Sequence, residues 1–125
     1  MARILLAEDD IDVRLVVAEA LTHEGHDVTA PVDFDRAAEY LNSSEWDLLI
    51  SNMMLVGGGG GRDLARLAKA RGVPTLFVTG DFAQMAVLES EGVLFLRKPF
   101  RLQDLHAAVA AASRAAPGAT HARPA

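Results

Sequence analysis

The stretch Asp47-Leu48-Leu49-Ile50-Ser51-Asn52-Met53-Met54-Leu55 decides the fold. Its apolar residues run on without the polar alternation of a half-exposed strand. It therefore reads as a strand over Asp47 to Ser51 that is buried on both faces and delivers one polar side chain, Asn52, at its carboxyl end. A strand covered on both faces needs helices above and below it, and the flanking sequence supplies them. Upstream, Ile4 to Ala7 is a second short apolar run, closed by Glu8-Asp9-Asp10. Val13, Val16, Val17, Ala20 and Leu21 then recur at helical spacing, with Asp10 or Asp12 as cap and Gly25 as the stop. A brief strand at Val28-Thr29-Ala30 precedes a helix carrying Phe34, Ala37, Ala38 and Leu41, with Asp33 as its cap. Downstream, Leu64, Leu67 and Ala68 mark a third helix that stops near Gly72. Val73 to Thr79 leads into a fourth strand, with Pro74 at its edge where a missing donor does least harm. Val93 to Leu96 is a fifth strand, and Leu102, Leu105, His106 and Val109 form the inner face of a last helix.

Strand and helix alternating five times predict an α/β fold, a doubly wound five-stranded parallel sheet with helices on both faces. The expected strand order is 2-1-3-4-5, the flavodoxin-like order. Residues 1–114 form this domain. Residues 115–125, rich in Ala and Pro with no apolar period, read as a disordered C-terminal tail without a linker to a further domain. Two segments look irregular. Gly57 to Gly61 is a run of five glycines after the third strand, and ordering it costs the most backbone freedom. Between Thr79 and Val93 the pattern Phe82, Met85, Ala86, Leu88 is sparse, which predicts a short or irregular fourth helix and a loosely specified face around it.

Composition narrows the function classes. The chain has 125 residues, half of them hydrophobic, and a net charge of −5, so it suits one globular domain with no global electrostatic attraction to nucleic acid. The absence of cysteine excludes disulfides, thiolate metal sites and thiol nucleophiles. No apolar run approaches the ~18 residues of a membrane span, and Glu8 arrives too early for a secretion signal. A cytoplasmic location is the expectation. His23, His26, His106 and His121 are scattered and read as ordinary solvated or core histidines.

In a parallel sheet the ligand crevice lies beyond the carboxyl ends of the strands, at the switch point between strands 1 and 3. Glu8 and Asp9 follow strand 1, Asn52 ends strand 3, Thr79 ends strand 4 and Lys98 follows strand 5, so all five reach one edge. Carboxylates gathered there repel unless a positive group joins them; Lys98 and a hard cation such as Mg2+ are the natural candidates. Ser51, next to Asn52, should point to the opposite face of the strand, away from the crevice.

This order of acids, acceptor, Thr and Lys-Pro resembles the receiver domain of bacterial two-component response regulators, over residues 1 to about 114. The resemblance implies that Glu8 and Asp9 match the acidic pair holding Mg2+, with the Met53 carbonyl as a further ligand. It places Asn52 at the phosphoacceptor position, Thr79 at the hydroxyl that contacts the phosphoryl group, and Lys98, before a cis Pro99, at the lysine that pairs with it. Phe95 matches the aromatic that reorients on activation. The implied partners are a sensor histidine kinase or histidine phosphotransferase, and a downstream protein bound on the face made by the fourth helix, fifth strand and fifth helix.

The departure at Asn52 governs the function. Phosphoryl transfer to a receiver needs a carboxylate nucleophile, and a neutral amide cannot serve. Mg2+ affinity should fall with the lost charge, leaving weak binding. Val56 and the glycine run also replace the usual turn and predict a loose loop beside the site. The reading is therefore a stand-alone, non-enzymatic receiver in phosphorelay signalling that acts through protein–protein contacts. An Asp-to-Asn replacement, engineered or natural, and a naturally phosphorylation-independent pseudo-receiver adaptor both fit. A dehalogenase-type phosphatase is disfavoured because Ile11 after Glu8-Asp9-Asp10 breaks that motif, and a flavodoxin-like carrier because an acidic triplet repels a flavin phosphate.

Overall fold

The computed structural model describes residues 1–114; the expected tail, 115–125, lies outside the described residues. In chain order the elements are β1 (Arg3–Ala7), α1 (Ile11–His23), β2 (Asp27–Thr29), α2 (Phe34–Ser43), β3 (Leu48–Asn52), α3 (Gly61–Ala70), β4 (Thr75–Thr79), α4 (Phe82–Ser90), β5 (Phe95–Arg97) and α5 (Leu102–Arg114). The strands form one parallel sheet in the order β2-β1-β3-β4-β5, as the sequence predicts.

The continuous apolar runs are explained by burial on both faces. Ile4, Leu6, Leu48 and Ile50 point into a layer closed by Val17 and Leu21 of α1 and by Leu105 and Val109 of α5. Leu5 and Leu49 point the other way, against Ala37, Leu41, Leu64 and Ala68 of α2 and α3. A smaller cluster of Phe77, Met85, Leu88 and Phe95 holds α4 to the sheet. Burying a side chain of Leu or Ile size contributes about 1.5–3 kcal/mol, so the central strands carry much of the stability.

Helix starts follow local chemistry. Asp10 accepts from the N–H groups of Asp12 and Val13, Asp33 from Arg36 and Asp81 from Gln84. Gly25, Gly72 and Gly92 take the positive φ that lets the chain leave α1, α3 and α4. The fourth helix is short, nine residues, but regular: Asp81 caps it and only Met85 and Leu88 are buried, which accounts for its sparse pattern. The fifth strand starts later than Val93, at Phe95, because the N–H of Val93 turns back to the carbonyl of Leu88 and closes α4.

The glycine run corrects the expectation of a loose loop. Gly57 takes φ 117°, and a Cβ at Gly59 would strike the Phe34 ring at 2.7 Å. Gly61 is already the first residue of α3; its N–H donates to the Met53 carbonyl, and a Cβ there would lie 2.0 Å from the Asn52 carbonyl oxygen. Close approach of α3 to the end of β3 therefore requires glycine. Asp63 accepts from the N–H of Gly60 and from Arg66, which together hold its carboxyl below the usual range. Its help to α3 is complete above the ordinary Asp pKa of about 3.8 and is lost as the pH falls below it.

Gly61→Ala should destabilise the domain by about 3 kcal/mol, because the new methyl meets backbone. Gly58→Ala should cost within about 0.5 kcal/mol, since its Cβ meets only the exposed Asp35 carboxylate, which can turn away. Urea unfolding of both variants checks the contrast; equal losses would show that the run is not packed in this way.

Candidate functional site

The stagger of the strands sets the geometry. Ala7 pairs with Ser51, Asn52 with Val78 and Thr79 with Arg97, so each polar residue emerges one step beyond its neighbour's last pair. Lys98 is held against the end of β4 by its own N–H, which donates to the Thr79 carbonyl at 2.9 Å, and the Lys98–Pro99 bond is cis.

Glu8 is the centre of the site and is only 4 % exposed. Lys98 Nζ donates to its Oε1 at 2.8 Å. Its Oε2 accepts from the backbone N–H of Asp10 at 3.1 Å and from Asn52 Nδ2 in a short contact. The same Asn52 amide nitrogen donates to Asp9 Oδ1 at 3.1 Å. Both amide hydrogens are thus committed to the acids, while Asn52 Oδ1 is buried with no hydrogen-bond partner. A buried acceptor left unsatisfied costs about 1–3 kcal/mol. The charge-assisted bonds made by the amide nitrogen and by Lys98 offset it. Arg14 reinforces the turn from behind, Nη1 donating to the Glu8 carbonyl.

Glu8, Asp9, Asn52 and Lys98 are therefore brought together. Thr79 and Phe95 are not part of this cluster. The Thr79 hydroxyl donates to Gln84 Oε1 at 2.8 Å and accepts from the Asp81 N–H, which turns it toward α4. The Phe95 ring is buried among Phe77, Met85 and Leu88. Ser51 is fully buried and donates to the Asn52 carbonyl, out of the crevice as its strand parity requires. Gln84 is a residue that sequence reading missed. It lies five positions after Thr79 in a sparsely patterned helix, and nothing in one sequence marks it.

With the Asn52 amide turned this way, a cation at Glu8 and Asp9 is opposed, because the carboxylate oxygens it would use already accept the amide hydrogens, which it would repel. The Met53 carbonyl, the further expected ligand, accepts from the Gly61 N–H at 2.9 Å and keeps its second lone pair. No group of three or more His, Cys, Asp or Glu side chains suited to a metal occurs among the described residues. Nor is any described helix long and apolar enough to cross a membrane.

Residues 4–110 match the family model described as the response regulator receiver domain. The transcriptional regulatory protein YrkP of Bacillus subtilis is 36 % identical over 118 residues, covering 90 % of this chain and 49 % of that protein. This chain thus spans about half the length of the curated relatives it matches. The receiver domain of the hybrid histidine kinase CckA superposes with a TM-score of 0.73 at 30 % identity, over 90 % of this chain and 99 % of that one. The receiver domain of the sensor histidine kinase PA1611 of Pseudomonas aeruginosa, with magnesium in its active-site cleft, gives a TM-score of 0.79 at 23 % identity, over 91 % and 98 %.

Lys98→Met should leave the buried Glu8 carboxylate short of its cationic partner and destabilise the domain by roughly 2–4 kcal/mol. Adding Glu8→Gln should recover most of that loss. A double variant no more stable than Lys98→Met would mean that the pair is not what holds this edge of the sheet.

Proposed function

Because the chain belongs to the response regulator receiver domain family of two-component signalling, we propose that it is a receiver that signals by protein contact and cannot be phosphorylated at Asn52. Receiver domains are signalling modules that work with histidine kinases and phosphotransferases. The observation that supports the proposal is the Asn52 side chain at the end of β3, which in this reading takes the place of the nucleophile that receiver chemistry needs. Its nitrogen is spent on Glu8 and Asp9 and its oxygen belongs to a neutral amide. In this reading Thr79, Lys98 and Phe95 keep the places of the phosphoryl-contacting and switch residues without a phosphoryl group to answer. Glu8, Asp9 and the Met53 carbonyl are the ligands that Mg2+ would use, and its binding is weak because the amide must first turn away.

The proposed contact surface for a kinase, a phosphotransferase or a downstream target is the face of α4, β5 and α5. Phe82 is 72 % exposed there, with the Arg97 guanidinium 5.3 Å over its ring. An exposed aromatic stacked with an arginine is the composition of an interface anchor.

Incubation with acetyl phosphate and Mg2+ tests the central claim. The chain should gain no phosphoryl group, whereas Asn52→Asp should gain one that hydroxylamine removes. An unlabelled Asn52→Asp variant would favour a receiver that has left phosphorylation altogether. Labelling of the unaltered chain would overturn the assignment of Asn52.

A further inference from the structure

We infer that the Asn52 carboxamide is a built-in replacement for the divalent cation, so that the acidic pair is held in its folded arrangement without metal. The inference rests on the receiver reading of Glu8 and Asp9 and adds what the amide does there. Two carboxylates at one strand edge need positive charge or hydrogen-bond donors between them. Lys98 reaches only one oxygen of Glu8. The Asn52 nitrogen supplies the rest, one donor to each acid, in the gap where an ion would bridge them. The orientation is set by the acids and not by the needs of the amide, since Oδ1 is left buried and unpartnered. With Oδ1 turned inward the side chain would place a third oxygen against two carboxylates, which is tolerable only with a cation present. The two orientations therefore exclude each other, and the one observed is the cation-free one. A receiver built in this way has a site whose shape does not depend on Mg2+, and its output is set by what binds its surface.

The test pairs thermal unfolding with nuclear magnetic resonance of the Asn52 side-chain amide. Unfolding of the unaltered chain, Asn52→Asp and Asn52→Ala is followed in EDTA and in rising MgCl2. At roughly ten times the dissociation constant of Asn52→Asp, that variant should gain about 3–6 °C. The unaltered chain should move by less than about 1 °C at the same concentration. In EDTA, Asn52→Asp, which loses the bridge and adds a third carboxylate, should be the least stable, and Asn52→Ala, which loses only the bridge, should be intermediate and regain part of its loss with Mg2+. Should either variant fail to fold, the unaltered chain decides alone. Its two Asn52 amide protons should exchange with water far more slowly than those of Asn42, which is exposed on α2, and should ignore MgCl2 in the range that saturates ordinary weak sites. Exchange as fast as Asn42, or a Mg2+ response equal to that of Asn52→Asp, would overturn the replacement while leaving the receiver site intact. No Mg2+ response in any of the three chains would remove Glu8 and Asp9 as a cation pair, and the inference with them.

Discussion

The edge of the sheet depends on one buried carboxylate. Glu8 sits at the end of β1, almost wholly out of water, and its two oxygens tie together three separate parts of the chain: Lys98 after β5, Asn52 at the end of β3 and the backbone at the start of α1. A buried charge is tolerated only when it is paired and hydrogen-bonded, so the folded positions of these segments are conditions for one another. The bond from Lys98 spans 90 residues and that from Asn52 spans 44, so the cluster forms only when β1, β3 and the segment after β5 have come together.

Most of the architecture was legible in the sequence because the central strands are buried on both faces and therefore read as unbroken apolar runs. The order of the five strands, the acidic caps of α1 and α2, and the meeting of Glu8, Asp9, Asn52 and Lys98 at one edge were all readable there. What stayed hidden depends on contacts between distant residues. The glycine run reads as slack until the approach of α3 to the Asn52 carbonyl is seen, since a missing Cβ leaves no sign of what it makes room for. The Thr79–Gln84 bond was equally silent, because a glutamine in a short helix has many uses.

The site and the proposed contact face are joined through a short physical path. Thr79 closes β4 beside the acidic cluster, and its hydroxyl is held by Gln84 and by the Asp81 N–H at the start of α4. One turn further along the same side of that helix, Met85 and Leu88 pack with Phe77 and Phe95, and the Arg97 guanidinium lies over the exposed Phe82 ring. Displacing Thr79 toward the acids would break its bond to Gln84 and disturb the capped turn that orients α4. The hydroxyl has its partners at the start of α4 and none among the acids.

The charge balance makes the same point from the other end of the path. With asparagine at position 52 the cluster of Glu8, Asp9 and Lys98 carries one net negative charge; an aspartate there would add a second beside a carboxylate that water scarcely reaches. Two like charges at about 4 Å repel by about 4 kcal/mol at an effective dielectric of about 20. The amide avoids that repulsion and donates to both acids instead. The orphaned Oδ1 is the residual cost of this arrangement. It is smaller than the repulsion avoided. The acids, the amide and Lys98 thus answer one another's charge within the cluster, and a cation or a further carboxylate there would have to displace a bond that is already made.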